Sequence, residues 1–223
     1  MNKIDLGALG EIELVDIMGN DLTVVNSARI SYSKRKEEID EGDIKLIKYL
    51  IKHNHVSTLE HCYMTFRVKC PKPIAVQWMR HQSQKFNEIS GRYVEFEDEF
   101  YTPDHFRQQH VSSKQASVEG VWSDVFHDGI KEQYQVAIHQ AYTTYKWLLE
   151  QGVAKEQARM VLPFGFMTEL YVSMNLRSFL HWYVARIDPH AQWETQQLAK
   201  AALQLVEPHF KHSIEAFKES QNV

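Results

Sequence analysis

Residues 62–70 alternate cleanly between apolar and polar positions. Cys62, Met64, Phe66, Val68 and Cys70 share one face, and Tyr63, Thr65, Arg67 and Lys69 share the other. A period of two predicts a half-buried strand. Pro71 and Pro73 end it, and Ile74 to about His81 reads as a short helix. Upstream, residues 11–17 alternate as a strand, and Asp21 to Ile30 reads as a short helix. Asp43 is placed to cap a helix running to about Lys52, with Ile44, Ile47, Leu50 and Ile51 on one stripe. Residues 83–93 are polar and follow neither period, and 97–123 read as a surface excursion expected to be mobile. From about Gly129 the pattern turns helical. One helix ends before Gly152, a C-cap position, and a short one ends near Pro163. Another is expected over about 167–186, and a last from near Gln192 with a kink at Pro208. Strands early and helices late predict an α+β fold: a mostly antiparallel sheet flanked by helices, with a helical C-terminal half. No linker or repeat interrupts the pattern, so a single domain over 1–223 is expected.

Composition narrows the class. Hydrophobic residues make up 43% and charged residues 24%, the balance of an ordinary folded protein. Mean hydropathy is -0.44, and no run approaches the ~20 apolar residues of a bilayer span. The first residues, Met1 to Leu6, lack the apolar stretch of a signal peptide. The expected setting is therefore cytoplasmic, away from membranes. Two cysteines, Cys62 and Cys70, are too few and too close for a disulfide framework. Net charge is -4, which argues against a general nucleic-acid binder. The nine arginines still permit anion binding where a few converge.

Several familiar chemistries are absent. There is no G-x-G-x-x-G, no P-loop, no G-x-S-x-G and no H-E-x-x-H. His53-x-His55 and Glu60-His61 are conceivable metal ligands, but no fourth ligand is spaced to join them, so no metal is expected. Both cysteines lie on the apolar strand face, which favours inert core thiols over nucleophiles.

Two polar constellations stand out. The first runs from Gln77 through Arg80, His81 and Gln82 to Asn87, Glu88, Ser90, Gly91, Arg92 and Tyr93. Arginines, a serine and a glycine permitting close backbone approach suit an anion pocket; a solvated helix end and loop has the same composition. The second places Asn175, Arg177, Ser178, His181 and Arg186 within a strongly apolar segment. An arginine inside such a segment needs partners, either structural ion pairs or a ligand. Asn175 and Arg186 are expected on one helical stripe, and Arg177 with His181 nearly opposite. Arg159 could join either group.

These residues resemble the signatures of the flavin-dependent thymidylate synthases. Arg80-His81-Gln82 followed by Ser90 is similar to the family's R-H-R-x7-S. Ser27-Ala28-Arg29-Ile30-Ser31 and His55-x-Ser57-x-x-Glu60-His61 resemble its N-terminal motifs. Tyr101-x-Pro103 and Lys114-Gln115-x-Ser117 resemble its mobile loop. Arg159-x-x-Leu162-Pro163, Asn175-x-Arg177-Ser178 and Arg186-x-x-x-His190-Ala191-Gln192-x-Glu194 resemble its C-terminal motifs. Their number and order carry the resemblance.

The resemblance implies conversion of dUMP to dTMP, with methylenetetrahydrofolate giving the carbon and NADPH reducing bound FAD. It implies a homotetramer with active sites shared between subunits. It assigns Gln77, Arg80, Glu88, Ser90, Gly91, Arg92, Arg159 and Arg186 to dUMP. It assigns Ser57, Arg80, His81, Gln82, Glu88, Asn175, Arg177 and His181 to FAD, and makes Arg186 the catalytic residue that polarises the uracil ring. Gln82 replaces the signature's second Arg and removes a charge from the flavin's surroundings. His181 stands where Asn is common. Alternatives are a related flavin-dependent hydroxymethyl- or methyltransferase acting on dUMP or dCMP, or a flavin- or nucleotide-binding protein without turnover.

Overall fold

The structure is a computed structural model describing residues 2–120 and 122–221. Met1 of the N-terminal reading, residue 121 of the excursion and residues 222–223 of the domain lie outside the described residues.

Five strands form one antiparallel sheet: β1 (Lys3–Asp5), β2 (Glu11–Met18), β3 (Tyr63–Pro71), β4 (Gln84–Glu88) and β7 (Met167–Asn175). Their order is β1-β2-β3-β7-β4. The apolar face read from residues 62–70 is fully buried: Cys62, Met64, Phe66, Val68 and Cys70 are at most 1% exposed. A bulge between Leu14 and Asp16 shifts the register of β2. Ile12 and Leu14 therefore point inward before it and Ile17 packs on the core after it.

The helices α1 (Asp21–Arg29), α2 (Glu41–Lys52), α3 (Lys72–Met79), α6 (Leu176–Ile187), α7 (Trp193–Val206) and α8 (Lys211–Gln221) contribute to the main core. Asp21 at the start of α1 is buried and accepts hydrogen bonds from the backbone N–H groups of His212 and Ser213. It thereby satisfies free donors at the start of α8. The long α4 (Asp124–Glu150) packs through a smaller cluster of Phe96, Tyr145, Ala158 and Leu162, reached also by α5 (Lys155–Ala158).

Several expectations are corrected. Asp40, not Asp43, is the N-cap of α2. Asp43 is the third residue of its capping box and fully buried, because its side chain turns back onto the Asp40 N–H. The helix expected over 167–186 is a strand followed by a helix, with Asn175 at the junction as N-cap of α6. Asn175 therefore does not share a helical stripe with Arg186. The C-terminal half is mostly helical, as expected, with β7 lying inside the sheet between β3 and β4. Within 83–93, residues 84–88 form a polar edge strand whose backbone pairs with β7. The helix expected from Gly129 starts at Asp124, and the C-terminal helix is two helices broken around Pro208, where α7 ends at Val206. The end of α4 is as expected, with Gly152 at φ +80 just beyond it. The 97–123 excursion carries a small hairpin of β5 (Arg107–Gln109) and β6 (Ser117–Glu119).

Candidate active site

Arg80-His81-Gln82 forms the turn between α3 and β4. Ser83 adopts a left-handed backbone, φ +60. The Gln84 amide donates to the carbonyls of Trp78 at 2.8 Å and His81 at 2.9 Å, satisfying free acceptors at the helix end. Arg80 and Gln82 are exposed and His81 is partly buried. Burial, helped by the nearby charge of Arg186, lowers the His81 pKa from its ordinary value.

On the other side of α3, Arg186 of α6 donates from Nη2 to the Gln77 carbonyl at 2.8 Å. The Gln77 side chain is itself held, donating to Gln192 at 2.6 Å and accepting from Thr195 at 2.9 Å. Gln77, Gln115, Arg186 and Gln192 line an open cleft of about 630 Å³. Arg186 Nε is buried and has no partner among the described residues. Leaving such a donor unpaired is costly. Burial, and then the charge of Arg80, lowers the Arg186 pKa, and a guanidinium remains charged at neutral pH.

The excursion closes one side of this cleft through Gln115. Its hairpin is tied to α7 by Arg107, which donates to both carboxylate oxygens of Glu194 at 2.8 Å and lies 5.3 Å over the Trp193 ring. Tyr101 adds a 3.0 Å hydrogen bond to Glu194. Glu194 is only 2% exposed. Burial opposes its charge, but the Arg107 contact wins and its carboxyl stays below the usual range.

Glu88 and Arg159 line a second cavity, about 360 Å³, with Lys72, Ile89, Phe96, Met160 and Phe166. The turn after β4 closes on Ser90, whose carbonyl accepts from Tyr93 N–H at 2.9 Å and whose hydroxyl accepts from Arg92 N–H at 3.3 Å. Gly91 is required by close approach: a Cβ there would sit 2.2 Å from Phe96 Cε2 and 3.1 Å from Arg159 Cδ. Arg92 reaches outward to Glu156 at 3.1 Å, both side chains more than half exposed.

A third group gathers at the start of α6. Asn175 Oδ1 accepts from Ser178 N–H at 2.8 Å. Arg177 pairs with Glu60 at 2.6 Å. Glu60 belongs to the 3-10 turn Val56–His61, which also carries the exposed Ser57. His181 stands edge-on to Phe217 at 5.4 Å, and burial followed by Arg177's charge lowers its pKa. An outward arginine, an imidazole and a helix N-terminus are suited to a diphosphate-bearing cofactor such as FAD.

Of the residues expected to contact dUMP, Gln77 and Arg186 line one cavity and Glu88 and Arg159 the other, while Arg80, Ser90, Gly91 and Arg92 line neither. Sequence reasoning missed Lys72 and Thr168, which hold Glu88. The lone basic residue within Cys70-Pro71-Lys72-Pro73, at a helix start, was an available signal. It also missed Arg107, which nothing local separates from other loop arginines. His53 and His55 lie at the end of α2 and just after it, their rings 6.5 Å apart.

Fold and clefts define an α+β protein with two recesses, each offering an arginine to an anionic ligand. The chain belongs to the family described as Thymidylate synthase complementing protein, which matches residues 13–210. It is 41% identical over 208 residues to a flavin-dependent thymidylate synthase of Thermosipho africanus, covering 93% of this chain and 90% of that one. It is also 41% identical over 210 residues to an enzyme of the same name from Thermus thermophilus, covering 94% of this chain and 76% of that one. Among solved structures it resembles PolB, a UMP/dUMP methylase of Streptomyces cacaoi bound with 5-Br dUMP. The TM-score is 0.85 at 32% identity, covering 93% of this chain and 94% of that one.

Proposed function

We propose that the protein is a flavin-dependent thymidylate synthase that methylates dUMP to dTMP. Methylenetetrahydrofolate supplies the carbon, NADPH the electrons, and FAD is the resident cofactor. The observation that carries this reading is Arg186, half-buried against the Gln77 carbonyl at the edge of an open cleft, in a chain of this family. Its guanidinium would stabilise negative charge developing on the uracil ring at N3 and the adjacent carbonyl. Arg80 and Arg92, with Ser90, Gly91 and Arg159, would bind phosphate and sugar, and Glu88 would accept from a nucleotide donor. Ser57, Arg80, His81, Gln82, Glu88, Asn175, Arg177 and His181 would hold FAD, which when bound supplies hydride chemistry. The thiols support this division of labour. Burial pushes both Cys62 and Cys70 up to about 12, so neither offers a thiolate at neutral pH.

The separation of Gln77 and Arg186 from Glu88 and Arg159, all four expected to contact dUMP, supports sites completed by a second subunit, within a homotetramer. Among the described residues no helix is long and apolar enough to cross a membrane. The reading places a single-domain enzyme in the cytoplasm, acting on free nucleotides and not on nucleic acid.

The test is product formation. Purified protein with FAD, dUMP, methylenetetrahydrofolate and NADPH should yield dTMP on chromatography. No dTMP, with turnover of dCMP instead, would overturn the assignment. A second substrate, UMP, belongs in the same assay because a solved relative is described as a UMP/dUMP methylase.

A further inference from the structure

Lys72 is the first residue of α3, and the first turn of that helix holds no acidic residue. A cation there meets the positive end of the helix macrodipole, an unfavourable place for it. The side chain instead spans to the end of β4. Its Nζ donates to both oxygens of Glu88 at 2.6 Å, and Thr168 Oγ1 donates to Oε1 at 2.6 Å. Lys72 and Glu88 remain 22% and 21% exposed, and with Arg159 they are the charged lining of the 360 Å³ cavity.

The charge balance is simple. Lys72, Glu88 and Arg159 sum to +1; without Lys72 the sum is zero. A phosphate monoester carries about -1.5 to -2 at pH 7, so a bare Glu88 would oppose it. We propose that Lys72 is a substrate-binding residue that keeps the Glu88 cavity cationic and thereby selects for the phosphorylated nucleotide. This rests on the reading that Glu88 and Arg159 contact dUMP. Lys72 holds the carboxylate ionised and in place as an acceptor, and adds a second cation beside Arg159 for the phosphate.

The test is calorimetric titration of the purified flavin-loaded protein with dUMP and with deoxyuridine. Lys72→Met should weaken dUMP binding roughly tenfold, the scale of one charge-assisted contact, and change deoxyuridine binding less than about twofold. Lys72→Arg should restore dUMP affinity to within about threefold. In turnover, Lys72→Met should raise the KM for dUMP and leave kcat nearly unchanged. Unchanged dUMP binding, or equal weakening for both ligands, would overturn the inference and reduce Lys72 to packing. Should Lys72→Met not fold, Lys72→Gln carries the same comparison, since it keeps hydrogen bonds without the charge. If the unaltered protein binds no dUMP, the underlying reading fails and the inference falls with it.

Discussion

The α1–α2 corner and the rim of the candidate site both pair basic side chains with carboxylates, at opposite degrees of burial. At the corner, Asp43 has a fully buried side chain and receives Arg29, Lys36 and the Asp40 N–H. At the rim, Arg177–Glu60 and Arg92–Glu156 are each about half exposed on both sides. A buried carboxylate cannot lose its partners without being left alone in a poor solvent. An exposed pair is worth little, so its arginine can turn to a ligand at small cost. Between these two groups, burial separates charges that hold the fold from charges that can turn to a ligand.

The sharpest way to break this comparison is Asp43→Ala. It strands Arg29 and removes the α2 capping contact, so a loss of about 3 kcal/mol in unfolding free energy is expected by urea denaturation. Glu194→Ala stands between the two regions, since it is buried yet ties down a loop. It should cost about 2 kcal/mol and expose the 97–123 excursion to limited proteolysis. A loop as resistant as in the unaltered protein would show that Arg107–Glu194 does not anchor it.

Acid sharpens the comparison next. Burial alone would raise the Asp43 pKa, but hydrogen bonds from Lys36, the Asp40 backbone and Arg29 bring it down from 3.8 to about 2. A carboxyl depressed on folding stabilises above its unfolded value and loses that contribution as pH falls through the folded one. Between pH 5 and pH 2, the unaltered protein should therefore lose about 1–2 kcal/mol more than Asp43→Asn. Parallel pH curves for the two proteins would remove Asp43 from acid unfolding.

The smallest stability effect belongs to the rim. Arg177→Ala should move unfolding by no more than about 0.5 kcal/mol. It should nevertheless release flavin, read as loss of visible absorbance after desalting. A flavin content equal to that of the unaltered protein would remove Arg177 from the cofactor site.

Strand β3 was readable because its alternation stands alone between breaks. Strand β7 carries the same alternation, with Thr168, Leu170, Val172 and Met174 buried. It runs straight into α6, and the combined apolar stretch imitates one long helix. The Asn175-x-x-Ser178 cap was the sign of the boundary. Strand β4 has no apolar signature because it is an edge strand, held by backbone pairing to β7. Asp40 and Asp43 are both credible caps by composition, and only the packing of α2 determines which is buried. The two polar constellations were legible as unusual polar composition, while the placement of Gln77 and Arg186 apart from Glu88 and Arg159 was not.

By itself the sequence determined which faces are apolar, where backbone chemistry breaks the chain, which residue types can bind anions, and the family to which their order belongs. These are local properties, written in periodicity and in the donors and acceptors each side chain carries. Tertiary structure alone decided that β7 enters the sheet between β3 and β4, that Arg186 Nε lacks a partner among the described residues while Arg177 has Glu60, and that Lys72 meets Glu88 across 16 residues. Each depends on two distant segments meeting. Whether a charge is buried, paired or left open is a property of that meeting and not of the residue.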